Sequence, residues 1–235
     1  MMPNEAIILA GGFGTRLKEK ISEIPKPMAP IQGRPFLEFL LTYLKRYKIG
    51  HVVLSVGYKS NIISDYFGEE FDGMKISYAI EKEPLGTGGG IKLAMEHLSG
   101  ENTFILNGDT LFQVNLADLN EFYTAHSADL AIALKRKRDI SRYGTVELDY
   151  SKVKGFREKR PVTSGLINGG VYLTSSSIFE RFDLPEKFSF ETDFLEKHLD
   201  DMEVHAMTSK AYFIDIGIPQ DYDKAHRELP GLFKD

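Results

Sequence analysis

The chain of 235 residues contains no cysteine. That excludes disulfide staples, zinc–thiolate sites, iron–sulfur clusters and thiol nucleophiles, and it fits a reducing compartment. Long apolar runs are also missing. The opening MMPNEAIILAGG has no basic leader, and its apolar stretch at 6–10 is too short for a signal peptide or a membrane span. A cytoplasmic chain with no membrane partner is expected. No low-complexity tract appears, so disorder is not expected, and no composition shift marks a linker. Net charge is −5 and no basic face is evident, so no nucleic-acid partner is expected either. The densest basic run, KRKR at 135–138, reads as a solvated strand end. No two of His51, His97, His126, His198, His205 and His226 have the spacing of a metal pair on a helix. The absence of a G-x-S-x-G elbow makes a hydrolase a poor fit.

What is present is a large apolar complement, 42% of residues, in an alternating order. Short runs at 6–10, 51–56, 75–80, 103–107 and 129–134 read as strands. They are continuous rather than alternating, as expected when both faces of a sheet are covered. Helical patterns lie between them, at 34–48, 60–71, 87–98 and 116–126. A β-α-β-α order implies a mostly parallel sheet with right-handed crossovers, hence an α/β, Rossmann-like fold. The second half is more polar. Strands are expected at 143–149, 152–159, 167–174 and 211–217, with helices over 189–199 and 219–229. One domain over 1–235 is the economical reading, with a nucleotide-binding half to about residue 135 and a small antiparallel lobe from about 136.

In open parallel sheets ligands sit beyond the carboxyl ends of the strands. LAGGFGTRL lies there after the first strand, and Gly11, Gly12 and Gly14 allow the backbone to approach an anion. A dinucleotide fingerprint needs a third glycine where Leu17 stands, and a P-loop is absent. What remains is a glycine turn with a surface arginine, or a triphosphate loop in which Arg16 takes the place of the P-loop lysine. Lys26, between Pro25 and Pro27, is expected on a stiffened, extended backbone, which suits a fixed cation aimed at phosphate.

LAGGFGTRL followed by PKPMAPIQGRP resembles the sugar-1-phosphate nucleotidyltransferases. The likeness continues in order through EKEPLGTGGGI (81–91), LNGDTLF (106–112), YGTVE (143–147), EK (158–159), INGGVY (167–172), FSFETDF (188–194) and FIDIGIPQDY (213–222). Within that family, KPMAPI, PFLEF, EKEPLGTGG, RYGTV and GLINGGVYL are most similar to the D-glycero-α-D-manno-heptose 1-phosphate guanylyltransferases. The resemblance implies a GT-A-like fold. It also implies attack by a sugar 1-phosphate oxygen on the α-phosphorus of a nucleoside triphosphate, catalysed by positioning and charge neutralisation.

Carried onto this sequence, Arg16 neutralises the leaving pyrophosphate, and Lys26 grips the α-phosphate and the incoming sugar phosphate. Leu9, Ala10, Gly11, Gly12, Gly14, Thr15, Glu81, Pro84, Gly86, Thr87 and Asn107 are the implied nucleotide site, with Gly86 and Gly88–Gly90 letting the backbone approach a planar base. Glu81 offers two acceptors to the N1–H and N2–H₂ edge of guanine, which argues for GTP, with Glu83 of the same EKE run the other candidate to face in. Gly108, Tyr143, Gly144, Glu158, Lys159, Asn168 and Gly169 are the implied sugar-phosphate site. Asp109 and Asp215 are the implied ligands of Mg²⁺, and Asp109 also counts as catalytic. The expected reaction forms GDP-heptose from GTP and the heptose 1-phosphate, for a bacterial surface glycan. The alternatives are a mannose-1-phosphate guanylyltransferase, a uridylyl- or thymidylyltransferase on another hexose 1-phosphate, and a non-catalytic sugar-nucleotide sensor. The chain ends at Asp235, too soon for the C-terminal β-helix of some relatives; that removes a usual source of assembly contacts and leaves a homodimer open.

Overall fold

A computed structural model describes residues 1–12, 24–138, 143–157 and 163–233. In chain order the first half contains β1 (Glu5–Leu9), β2 (Pro30–Ile31), β3 (Arg34–Pro35), α1 (Phe36–Arg46), β4 (His51–Val56), α2 (Ser60–Phe67), β5 (Glu70–Phe71), β6 (Met74–Ile80), α3 (Gly86–Met95), β7 (Asn102–Asn107), β8 (Thr110–Phe112) and α4 (Leu116–Ala125). There follow β9 (Leu130–Arg138), β10 (Thr145–Asp149), β11 (Lys152–Arg157), β12 (Ser164–Ser175), β13 (Val204–Ser209), β14 (Phe213–Asp215) and α5 (Pro219–Leu232).

Among the described residues the main sheet has ten strands, in the order β10-β11-β13-β9-β12-β7-β1-β4-β6-β5. β7, β1, β4 and β6 run parallel, as a Rossmann half does. The α/β class stands, but the sheet is mixed rather than mostly parallel. β12 enters antiparallel between β7 and β9, so the polar second half extends the same sheet instead of standing beside it. Among the described residues of that half, only β9 and β13 pair parallel.

The continuous apolar strands are explained by their two covered faces. Ile7, Val53 and Ile105 point to one core, with Ile91 and Ala94 of α3 and the phenyl rings of the 188–194 segment. Their neighbours Ala6, Ile8, Val52, Leu54, Phe104 and Leu106 point to the other, against α1, α4 and α5. Period-two alternation thus sorts a uniformly apolar run into two buried layers. α1 buries seven of its residues, and Glu38 near its start and Lys45 and Arg46 at its end suit the helix dipole. Asn115 caps α4 by accepting from the N–H groups of Ala117 and Asp118.

Three local expectations are corrected. The segment expected as one helix over 189–199 forms a π-helical turn, Phe190–Leu195, and then a 3₁₀ turn, Leu199–Asp201. The wider turn brings Phe190 and Phe194 into stacked contact, 5.7 Å between centroids, inside the core. Lys26 does not sit on extended backbone. It opens the 3₁₀ turn Lys26–Met28, held by Met28 N–H to Pro25 C=O and Ala29 N–H to Lys26 C=O. The KRKR run is only half solvated: Arg136 and Arg138 face out, while Lys135 and Lys137 are half-buried. No helix among the described residues is long and apolar enough to cross a membrane.

Candidate active site

The strand order reverses at β1, which has β4 on one side and β7 on the other. A crevice is expected beyond the carboxyl ends of β1 and β7. The last residues of those strands, Leu9 and Asn107, open it, and Gly108 N–H donates to the Leu9 carbonyl across its floor. A cavity of about 340 Å³ lies there, and Leu9, Gly11, Gly12, Glu81, Pro84, Gly86, Thr87, Asn107, Gly108 and Asp109 all line it. Gly86 has φ +75°, and a Cβ there would run into the Phe188 carbonyl, so the turn into α3 needs glycine.

A second cavity, about 690 Å³, adjoins the first through Asn107, Asp109 and Glu191. Tyr143, Gly144, Asn168 and Asp215 line it. The charged centre lies on the strand ends. β8 and β14 pair with Asp215 opposite Thr110, which brings Asp215 next to the β7–β8 turn that carries Asp109. Lys26 donates to Asp109 Oδ2, while Thr110 Oγ1 donates to Oδ1 at 3.1 Å. Asp215 Oδ1 accepts the Gly217 N–H at 2.8 Å, and Oδ2 accepts the Tyr143 hydroxyl at 3.2 Å. A side chain at Gly217 would overlap the Lys26 ammonium and push the lysine from this position. Burial, and then the charge of Asp109, push the Asp215 carboxyl above its ordinary range, against the pull of Lys26 and its two donors. Burial, with the charges of Asp215 and Asp221, keeps the Tyr143 phenol neutral.

Glu81 sits at the junction of β6 and the loop into α3. Its Oε2 accepts the Leu85 N–H at 2.9 Å and its Oε1 accepts the Ser55 hydroxyl at 3.3 Å. Asn168 spends its amide inside the protein: Nδ2 donates to the Tyr172 hydroxyl and Oδ1 accepts the Gly170 N–H.

A family model described as "Nucleotidyl transferase" matches residues 5–230. The chain belongs to the nucleotidyl transferase family. It is 52% identical over 225 residues to the D-glycero-alpha-D-manno-heptose 1-phosphate guanylyltransferase of Aneurinibacillus thermoaerophilus, covering 96% of this chain and 98% of that protein. It is 49% identical over 219 residues to the enzyme of the same name from Campylobacter jejuni, covering 93% and 96%. The crystal structure of HddC from Yersinia pseudotuberculosis complexed with GMP-PN superposes with a TM-score of 0.87 at 40% identity, over 96% of this chain and 99% of that one.

Several residues of the transferase lie elsewhere than expected. Ala10 is buried, with its N–H bonded to the Ser55 carbonyl, and does not line the crevice. Gly88–Gly90 cannot meet a base: they are buried in α3. Side chains there would collide with the Phe188 ring, the Glu186 carbonyl and the Ser55 hydroxyl. The Gly88 and Gly89 N–H groups are capped by the Phe188 carbonyl. Gly169 makes room for the Phe112 ring and the Ala133 carbonyl. Gly14, Thr15, Arg16, Glu158 and Lys159 lie outside the described residues.

Glu191 was missed, although it stands inside FSFETDF. It lines both cavities, accepting from Thr87 Oγ1 at 3.1 Å and from the buried Tyr172 hydroxyl at 3.3 Å. An acidic residue between Phe190 and Phe194 in a core-facing segment was the available signal, because a carboxylate placed there needs partners.

Proposed function

We propose that this chain transfers GMP from GTP to D-glycero-α-D-manno-heptose 1-phosphate, forming GDP-heptose and releasing pyrophosphate. The observation that carries the reading is the meeting of two cavities at Asp109, which is paired with Lys26 and whose charge reaches Asp215, in a chain so similar to heptose 1-phosphate guanylyltransferases. The smaller cavity, at the strand switch point, takes the nucleotide, and the larger one takes the sugar. Their shared wall is where the α-phosphate and the sugar phosphate come together.

The cluster fits a magnesium ion. Asp215 is held near a second carboxylate whose charge opposes its ionisation, which a cation would relieve. No group of three or more His, Cys, Asp or Glu gathers among the described residues. Asp109 and Asp215 would therefore hold the ion together with phosphate oxygens and water, as magnesium prefers. When bound, it supplies charge neutralisation at the reacting phosphate.

The chain's own groups do the rest. Lys26, paired with Asp109, is placed to turn to a phosphate oxygen. Gly11 and Gly12 bring backbone to the nucleotide, and Glu81 presents acceptors to guanine while its loop bonds keep it fixed. A sugar phosphate oxygen forms the new bond to the α-phosphorus as the bond to the β-phosphate oxygen breaks, and pyrophosphate carries away the charge. Arg16 and Lys159, carried over from the family motif, add the cations that two polyanions require.

The test is pyrophosphate release across GTP, CTP, UTP, dTTP and ATP, each with heptose 1-phosphate and mannose 1-phosphate. GTP with the heptose is expected to give the highest kcat/KM. Mannose 1-phosphate lacks one hydroxymethylene and should fall behind by roughly 10- to 200-fold. Turnover with UTP or dTTP but not with GTP would sink the guanylyl assignment, and equal or better turnover of mannose 1-phosphate would sink the heptose assignment.

A further inference from the structure

The bonds that hold Asp215 lead back to a residue with no role so far, Lys137 of β9. It belongs to the KRKR run, yet its side chain is only 27% exposed. Its Nζ lies 3.2 Å from the Tyr143 hydroxyl and 3.6 Å from Asp221 Oδ2 at the start of α5. It also sits 4.6 Å from the Tyr143 ring centroid and 5.4 Å from that of Phe213 in β14. Strand, helix and the Tyr143 segment thus meet around one ammonium.

The direction of the hydrogen bonds follows from chemistry. An ammonium donates and cannot accept, so at Lys137 the Tyr143 oxygen must be the acceptor. A phenol has one proton, which it keeps at neutral pH because its ordinary pKa is about 10. With Lys137 occupying a lone pair, that proton is directed to Asp215 Oδ2, 3.2 Å away. The Gly217 N–H fixes the other oxygen. The Asp215 carboxylate, which lines the larger cavity, is then set from two sides.

We propose that Lys137 is a positioning residue: through Tyr143 it orients Asp215 to receive a divalent metal ion. This rests on the reading of Asp215 as a metal ligand. Hydrogen-bond partners behind a ligand typically change metal affinity by about 10- to 100-fold. The ion pair with Asp221 offers a rival account, but a partly exposed pair at that distance contributes little. A second rival is the charge itself. It predicts the opposite sign, since removing a cation near the site should strengthen binding of another cation.

The experiment is Mn²⁺ binding to the intact protein, followed by the loss of the free-ion paramagnetic resonance signal, with melting temperature recorded for each variant. Lys137→Met and Tyr143→Phe should each weaken Mn²⁺ binding about 10-fold with little change in melting temperature. The double variant should bind no more weakly than Tyr143→Phe alone. Lys137→Arg, which keeps the cation and the donor, should restore most of the affinity, and Asp221→Asn should leave it within about two-fold. If Lys137→Met does not fold, Lys137→Gln, polar but too short to reach the phenol, is expected to show the same loss. Unchanged or tighter Mn²⁺ binding in the lysine variants overturns the proposal, as do effects that multiply in the double variant or an equal loss in Asp221→Asn. Asp215→Asn separates the two layers of argument. If it too binds Mn²⁺ normally, the metal reading itself has failed; if it loses binding while the lysine variants do not, only the role of Lys137 has failed.

Discussion

Asp109 answers to two neighbours: its Oδ2 takes the Lys26 ammonium, and its charge raises the Asp215 carboxyl. Removing it therefore leaves Lys26 without its counter-ion and any metal with one carboxylate. Asp109→Ala is expected to lower kcat by at least about 1,000-fold while the circular dichroism and melting temperature stay close to wild type, since the side chain is one-third exposed. A near wild-type rate with magnesium would remove Asp109 from the mechanism. Glu81 makes a subtler prediction. Glu81→Gln keeps an acceptor for the Leu85 N–H but presents a donor where guanine also presents one. GTP kcat/KM should fall by roughly 10- to 100-fold, with UTP or dTTP falling less. A uniform drop across all nucleotides would mean that the carboxylate serves its loop and not the base.

α3 shows how one element ties the two cavities together. Its first turn is capped by the Phe188 carbonyl, Thr87 Oγ1 accepts the Phe190 N–H, and the same hydroxyl donates to Glu191. Gly86, Gly88 and Gly89 are there because the 186–190 segment lies directly on the helix, and Gly90 because Ser55 and Glu81 do. Replacing Gly88 by alanine sets two effects against each other. Helix propensity favours alanine by about 1 kcal/mol. Against that, the new Cβ would overlap the Phe188 ring, which is buried and packed edge-on to Phe179 at 5.4 Å. Such overpacking usually costs about 1–3 kcal/mol, so a net loss is expected, read as a lower urea midpoint at unchanged slope. A midpoint at or above wild type would show that Phe188 has room to move. The motif was legible in the sequence; its reason was not, because Phe188 stands a hundred residues away.

At the scale of the whole molecule, the end of the sheet opposite the active site carries a buried charge network. Glu5 is 7% exposed and accepts from His51, Ser99 and Gly100. Burial alone would raise its pKa, but the bonds from His51 and the Gly100 and Ser99 N–H groups outweigh it and hold the carboxyl below its ordinary value. A lowered folded-state pKa contributes stability above the unfolded value, near 4.3, and that stability is lost as pH falls through the folded value. Glu5→Gln should therefore cost about 1.5–3 kcal/mol at pH 7, and the gap to wild type should narrow below about pH 4. Urea titrations at pH 7 and pH 3 check this; a gap that widens in acid would reverse the assigned sign.

The order of apolar runs was enough to determine an α/β chain, because a strand buried on both faces can only be written as a continuous apolar stretch. Gly11, Gly12 and Lys26 stood out as local departures from ordinary composition, while Asp109 and Asp215 were singled out chiefly through the resemblance of their motifs. Other features depended on packing between distant segments. These include the antiparallel insertion of β12, the π-helical turn that places Glu191, the glycines that serve Phe188, and the inward turn of Lys137. Each is decided by what a residue touches across tens or hundreds of positions, and a linear pattern carries no record of that contact.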